Sequence, residues 1–336
     1  MAFIRIILVR LLLLAVTLCG VAAIVFFVIR VVPGNPIAMM IPPGASDEDI
    51  ARLTAYYGLD RSIPEQFVIW VQGVMHGDFG TSITTRQPVL HLVLGRLPAT
   101  LELSIVGLLI AVLLGGTAAI VATRLRHSKA EGAIDVAIGM ALSVPDFLWG
   151  LVLILLFGVL VPLFHISGRV SPGLDLDFAT NFYLFESLLR LRFDVALDIV
   201  SHMFMPALAL AIPLAAIISQ MLKQSLKECM NLDYVTLART KGYGESRIIL
   251  GEMLPNAILP TLTLVGVQFT FLIGGTVIIE RLFSYEGLGN MAIDAVINRD
   301  LPLIQGVVIL FAVIFTAVNL LVDLTYASLN PRLRHA

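Results

Sequence analysis

The chain has 336 residues, of which 58% are hydrophobic and 14% charged, and its mean hydropathy is +0.94. Soluble domains run near 45–50% apolar and about 25% charged, so a soluble globular domain, a disordered chain and a collagen-like fibre are excluded. A net charge of -2 gives no general attraction to nucleic acid, and two cysteines, Cys19 and Cys229, cannot staple a disulfide scaffold.

A helix crosses the roughly 30 Å hydrocarbon layer of a bilayer with about 20 apolar residues. Six stretches free or nearly free of Asp, Glu, Lys and Arg reach that length: 11–29, 103–123, 136–164 (interrupted by Asp146), 203–222, 253–279 and 301–322. The runs are continuous rather than alternating, which selects helices over a β-barrel. In the fifth, Pro255 and Pro260 are expected to precede the span proper. Arg5 and Arg10 before the first run resemble a secretory signal, but the apolar run continues to Ile29 and reads as a retained span. With the N-terminus inside, the inner segments carry twelve basic residues against five acids, and the outer ones ten against fifteen. All four lysines then fall inside, which orients the chain with both termini cytoplasmic.

Between the first two runs, Pro33-Gly34-Asn35-Pro36 is a chain-breaking turn. Ser46 followed by Asp47, Glu48 and Asp49 reads as a helix start. Ile50, Leu53 and Tyr57 give it an apolar stripe, and Gly58 closes it. The Gly-rich stretch 73–82, with Gly77, Asp78 and Ser82, reads as a loop. A second outer segment, 167–201, is polar and acidic. The inner loop 223–254 is much longer than its counterpart near 124–132. There Asp233 is the expected N-cap of a two-turn helix over 234–241, with Arg239 and Lys241 in its last turn and Gly242 as a left-handed C-cap. Such a helix is too short to stand alone. It lies on the bilayer surface or docks a partner.

Catalytic patterns are absent: no Gly-x4-Gly-Lys-Ser/Thr, His-Glu-x-x-His, Gly-x-Ser-x-Gly or Cys-x-x-Cys occurs. An enzyme is therefore not expected, and the chain itself holds no P-loop for ATP. Glu102, Asp135 and Asp323 fall near span ends, whereas Asp146 is placed near the middle of the third span, beside Pro145 and with Trp149 one turn on. A charge at such depth is expensive and marks a functional group facing the bundle interior. Pro145 is expected to kink the helix and free a backbone carbonyl. His202 with Met203 and Met205 has a soft-metal composition but reads as a histidine at the membrane interface beside packing methionines, so no metal ligand is assigned. Gly107, Gly115, Gly116 and Ala119, and Ala207, Ala211 and Ala215, read as close helix contacts.

The stretch Leu237-Ala238-Arg239-Thr240-Lys241-Gly242, followed by Leu254-Pro255, resembles the "EAA loop" of membrane subunits of ABC importers. Ala238, Gly242, Leu254 and Pro255 sit at the family spacing. Thr236 replaces the Glu, Leu237 the first Ala and Glu252 the Ile. Further stretches resemble the dipeptide/oligopeptide/nickel branch, in the same order. These are Val32 to Pro36, Gly77-Asp78-Phe79-Gly80-Thr81-Ser82, Arg96 to Leu103, and Ser143-Val144-Pro145-Asp146-Phe147. His202 with Pro206-Ala207-Leu208, Glu280, Phe283-Ser284 and Gly287-Leu288-Gly289 follow, and then Asn319 to Asp323 and Asn330-Pro331-Arg332.

The resemblance implies an all-α polytopic membrane protein of six transmembrane helices with the type I ABC importer permease (MetI-like) fold. It divides the chain into an N-terminal helix and outer segment (1–95), a permease core (96–327, with the coupling loop at 223–255) and a cytoplasmic tail (328–336). It implies a second homologous permease subunit, two cytoplasmic P-loop ATPase subunits that carry the ATP and Mg, and an extracytoplasmic solute-binding protein. The location is a bacterial inner membrane, and no cofactor or nucleic acid is bound by this chain. The ATPase-coupling residues would be Asp233, Tyr234, Leu237, Ala238, Arg239, Thr240, Lys241, Gly242, Leu254 and Pro255. Pro145, Asp146 and Trp149 would line the translocation path, and Asp47, Tyr57, Gly77, Asp78 and Ser82 would meet the binding protein. The solute would be a dipeptide or oligopeptide, with nickel, glutathione or opine-like solutes as alternatives. The rival class, an ion-coupled secondary transporter, lacks the internal repeat such folds carry.

Overall fold

The computed structural model describes the backbone of residues 2–31, 46, 48, 55, 60–174 and 176–329. The turn at 32–36, Asp47, the stripe residues Ile50, Leu53 and Tyr57, the closing Gly58, the tail 330–336 and the side chain of Asp323 lie outside the described residues. Among the described residues every regular element is a helix. In chain order these are α1 (Ala2–Val31), α2 (Ile63–Met75), α3 (Val89–Arg124), α4 (Lys129–Ser143) and α5 (Asp146–Leu160). There follow α6 (Tyr183–Leu189), α7 (Phe193–Cys229), α8 (Asp233–Thr240), α9 (Glu245–Leu282), α10 (Leu288–Ile297) and α11 (Leu301–Leu329).

Helices α3, α7, α9 and the first 22 residues of α11 are each long and apolar enough to cross a bilayer, and α1 contributes the apolar stretch Leu12–Val28. The third expected span is not straight: α4 and α5 meet at 105°. Proline is the cause. It disfavours the helical region for the residue before it, and Val144 is extended (φ -104°, ψ 125°). The Pro145 carbonyl then accepts from Leu148 N (3.1 Å) and Trp149 N (3.3 Å), which starts α5 afresh.

Helix ends overrun the charge-free stretches. Helix α7 has 37 residues, so it is about 55 Å long and projects beyond the roughly 30 Å hydrocarbon layer. Helix α9 begins at Glu245 and passes through a wide π turn, Ile248–Met253, just ahead of Pro255. Pro255 has no N–H to give and its ring would crowd a regular α turn, so the widened turn lets the helix run on. The Gly-rich stretch 73–82 is a loop only after Met75. Its first residues close α2, which Ser62, Pro64 and Glu65 initiate, with Ser62 N donating to Glu65 Oε2 at 3.2 Å. Helix α2 lies back on the C-terminal end of α1, where Phe67 and Trp70 pack on Phe26.

The centre of the fold is the pairing of α3 with α7. On α3, Gly107, Ala111, Gly115 and Ala119 recur one turn apart and are buried. On α7, Ala207, Ala211 and Ala215 are buried opposite. A Cβ on Gly115 would stand 2.4 Å from the Ala215 carbonyl oxygen, so the backbones are in contact there. Gly116, by contrast, faces open space. A large apolar core surrounds this crossing, with Leu103, Ile199, Met203, Met205 and Ile279 in it. Large apolar side chains such as Leu109, Leu113, Leu155 and Phe271 point outward, as a lipid-facing surface requires.

Candidate functional site

Helix α8 lies at the C-terminal end of α7 and is built into the fold on one side only. Val235 and Ala238 face inward and pack with Leu222, Leu226 and Cys229 of α7 and Ile248, Ile249 and Met253 of α9. Leu254 is half-buried against the same cluster, and Pro255 is exposed. Tyr234 is half-buried, and burial pushes its hydroxyl up to about 12, so it stays neutral. Asp233, Leu237 and, three and four residues further on, Thr240 and Lys241 are exposed, as are Arg239 and Gly242. Ala238, assigned to contact by sequence, is therefore a packing residue beneath the exposed face. The N-cap is Leu232, one residue earlier than expected, and Asp233 opens the first turn.

The other end of α8 closes in a Schellman motif. Tyr243 N donates to Ala238 O (3.2 Å) and Gly242 N to Arg239 O (2.9 Å), with Gly242 at φ +75°. Glu245 then bridges Arg239 and Arg126, each at 3.6 Å, tying the start of α9 to α8 and to the end of α3. These pairs are exposed and add orientation rather than much stability. The result is a short helix on a fixed base, presenting Leu237 (54% exposed) between an acid and a lysine.

Asp146 is not in the middle of a helix. It opens α5 at the α4–α5 bend, where a helix N-terminus favours an acid. Its Oδ1 accepts from Phe147 N (2.7 Å). Its Oδ2 lies 3.6 Å from where a Cβ on Gly275 of α9 would stand. Trp149 is half-buried and packs into the central core. Pro145 and Asp146 are thus together at the bend, with Trp149 directed inward from them.

Of the outer residues, Gly77 and Asp78 are exposed on the turn after α2, with Asp78 Oδ1 accepting from Gly80 N at 2.8 Å. Ser82 is 1% exposed and donates to Asp300 Oδ2 at 2.6 Å, so it is a latch onto the start of α11 and has no surface to offer a partner. Asp47 and Tyr57 lie outside the described residues.

Two buried carboxylates escaped the sequence reading of function. Glu102 (α3) pairs with Arg169 at 2.7 Å, both 6% exposed, and also accepts from Phe185 N at 3.1 Å. The Arg169 guanidinium lies 3.9 Å over the Tyr183 ring, so this pair holds the segment 167–192 to the bundle. Glu280 (α9) is fully buried and accepts from Thr100 Oγ1, Gly289 N and Asn290 N. Both Thr100 and Glu280 lie in stretches that carried the resemblance.

Residues 97–335 match the family described as binding-protein-dependent transport system inner membrane component, and residues 3–104 match its N-terminal family. The chain belongs to the binding-protein-dependent transport permeases. The dipeptide transport system permease protein DppB of Escherichia coli K12 is 38% identical over 327 residues, 95% of each chain. The di/tripeptide transport system permease protein DppB of Pseudomonas aeruginosa is 36% identical over 331 residues, 97% of each. Among solved structures, a chain of the MetNI methionine ABC transporter superposes with a TM-score of 0.53 at 14% identity, covering 69% of this chain and 93% of that one. That likeness establishes the MetI-like fold. A permease of this family is a multi-pass inner-membrane component of an ABC importer that works with a separate binding protein and a separate ATPase, and the ion-coupled alternative falls away.

Proposed function

We propose that this permease forms one half of the translocation pathway of an ATP-driven importer of dipeptides or oligopeptides. The observation that carries the coupling half of this reading is α8. Its inner face is seated on α7 and α9, its C-terminus is capped at Gly242, and its outer face offers Asp233, Leu237, Thr240 and Lys241 to a docked subunit. In this reading two cytoplasmic P-loop ATPase subunits hold the ATP and Mg, and one receives α8 in a groove. A second, homologous permease completes the pathway, and both termini are cytoplasmic. Closure of the ATPase pair pushes on α8, and its packing on α7 and α9 passes the displacement into the spans. An extracytoplasmic binding protein delivers solute at the end bearing Gly77 and Asp78. Asp146, at the α4–α5 bend, lines the path and favours the positive amino terminus of a peptide.

The peptide class rests on the near full-length similarity to permeases whose names specify dipeptides and di/tripeptides. The test is uptake by proteoliposomes holding the assembled importer and its binding protein. The expected result is ATP-dependent accumulation of a labelled dipeptide that unlabelled dipeptides suppress. Suppression by nickel, glutathione or an opine, with no effect of dipeptides, would replace the peptide by that solute.

A further inference from the structure

The end of α7 opposite α8 carries a polar cluster that the transport reading leaves unused. Asp198 and His202 lie one turn apart on α7, and His165 comes from the segment after α5. One donor atom from each lies within 4.8 Å of the other two. The imidazole rings stack with centroids 3.9 Å apart and planes at 4°. Next to them Phe164 and Phe204 stack at 4.4 Å, so two consecutive ring pairs hold the segments in register.

The hydrogen bonds around the rings fix their tautomers. Ser201 Oγ gives its one proton to Asp198 O (2.7 Å), so at 2.8 Å from His165 Nδ1 it accepts. His202 Nδ1 faces Asp198 O at 2.9 Å, and a carbonyl only accepts. Both Nδ1 atoms therefore carry the hydrogen, and both Nε2 atoms keep a lone pair. The Asp198 carboxylate is held in turn by Ser171, from Oγ (2.6 Å) and N (2.9 Å). This is the outer-shell pattern that orients metal ligands: each imidazole gives its N–H to an oxygen acceptor, and the carboxylate is itself hydrogen-bonded. Burial is graded from exposed His165 through half-buried Asp198 to buried His202, which gives an ion a way in.

We infer that His165, Asp198 and His202 bind one divalent transition-metal ion through two imidazole nitrogens and one carboxylate oxygen. Two nitrogens and one oxygen suit zinc, nickel, cobalt or copper and disfavour magnesium or calcium. Ligands about 2.0–2.2 Å from zinc in a tetrahedron stand roughly 3.3 Å apart, so the cluster closes inward on binding. Parallel rings direct their lone pairs side by side, so the exposed His165 must turn out of the stack and leave Ser201 Oγ to meet the ion, while His202 and Asp198 keep their places on α7. Three protein ligands leave a fourth position for water. The bound ion staples the segment following α5 to α7. Met203 and Met205 are buried in the central core and take no part.

The test uses the full chain, purified without a polyhistidine tag in mild detergent with its associated subunits, stripped by a chelator and titrated with zinc and with cobalt. One ion per chain is expected, with a visible absorption band for the cobalt form. His165→Ala is expected to weaken binding by about tenfold or more and abolish that band, and Asp198→Asn to weaken it likewise. His165 is exposed, so its variant should melt like the parent when no metal is present. Equal stoichiometry and affinity in the parent and both variants, or no zinc bound by the parent, would overturn the inference. Neither result bears on ATP-driven uptake, which is measured separately.

Discussion

Thr100 on α3 donates its hydroxyl hydrogen to the buried carboxylate of Glu280 on α9 at 2.7 Å, across 180 positions of sequence. The same hydroxyl oxygen accepts from Leu288 N at 2.8 Å, while Glu280 Oε2 accepts from Gly289 N at 2.7 Å and Asn290 N at 3.1 Å. One hydroxyl and one carboxylate thus fasten the start of α10 to two spans. Replacing Thr100→Val keeps the shape and removes the donor. It leaves a buried carboxylate short of one partner and Leu288 N without an acceptor. Such a group costs about 1–3 kcal/mol. The variant should melt measurably lower in detergent, with the apolar crossing of α3 and α7 unchanged.

Gly242 carries the cap of α8 at φ +75°, where any side chain is strained by roughly 1–2 kcal/mol. No heavy atom lies within 4 Å of a Cβ built there, so a larger residue meets no clash within the chain. Gly242→Asp should therefore insert into the membrane at normal abundance and lose transport. Immunoblotting of membranes beside peptide uptake checks both halves. Normal uptake would remove the cap from the coupling mechanism.

Asp146 at the α4–α5 bend is assigned to favour a peptide amino terminus. Asp146→Asn keeps size and removes charge. Uptake of dipeptides is expected to fall several-fold and that of amino-acetylated dipeptides to change little. Equal loss for both, or loss for neither, would detach the charge from the solute.

Glu186 fixes the segment between α5 and α7. Its carboxylate accepts from Thr180 Oγ1 (2.6 Å), Ala179 N (2.7 Å) and Thr180 N (2.8 Å) and lies beside Arg190. The Thr180 hydroxyl is the main cause that holds its pKa down, from 4.5 to about 2. The folded value is the lower one, so the stabilisation is complete above 4.5 and is lost as pH falls towards 2. Hydrogen exchange in 179–190 should accelerate across that window in the parent. In Glu186→Gln it should already be fast at neutral pH and show no such step.

Much of this was legible in the sequence, and the exceptions have physical reasons. Apolar runs located the spans, because lipid imposes that composition directly. Their ends were missed where charges continue a helix past the hydrocarbon, as Lys223 and Lys227 do on α7. The α4–α5 bend is nearly invisible to hydropathy, since apolar residues continue on both sides of Pro145, and only the proline signals it. Helix α2 does have a signal, Ser62 with Glu65 three residues on, but Gly73 and the glycines after it give its end the composition of a loop. The cap at Gly242 was readable because a local chain reversal depends on local residues. The pairs Glu102–Arg169 and Thr100–Glu280 join residues 67 and 180 positions apart, and no local pattern can announce such partners. The burial of Ser82 was hidden for the same reason, since Asp300 lies 218 positions away. Ala238 is covered mainly by the helices on either side of α8, and its burial follows from how α7 and α9 fold back on it.

In the proposed coupling, α8 docks a separate ATPase through its exposed face while its inner face belongs to the permease core. The measurement is affinity purification of tagged chains from membranes in mild detergent, with quantification of co-purifying P-loop ATPase. Leu237→Asp changes the exposed face and Val235→Asp the fully buried one. The parent is expected to recover the ATPase and a second permease. Leu237→Asp should be present at parental abundance, retain the second permease and lose most of the ATPase, while Val235→Asp should fail to accumulate. Full recovery of ATPase by Leu237→Asp, or a parent chain that purifies alone and moves solute without ATP, would overturn the docking role of α8.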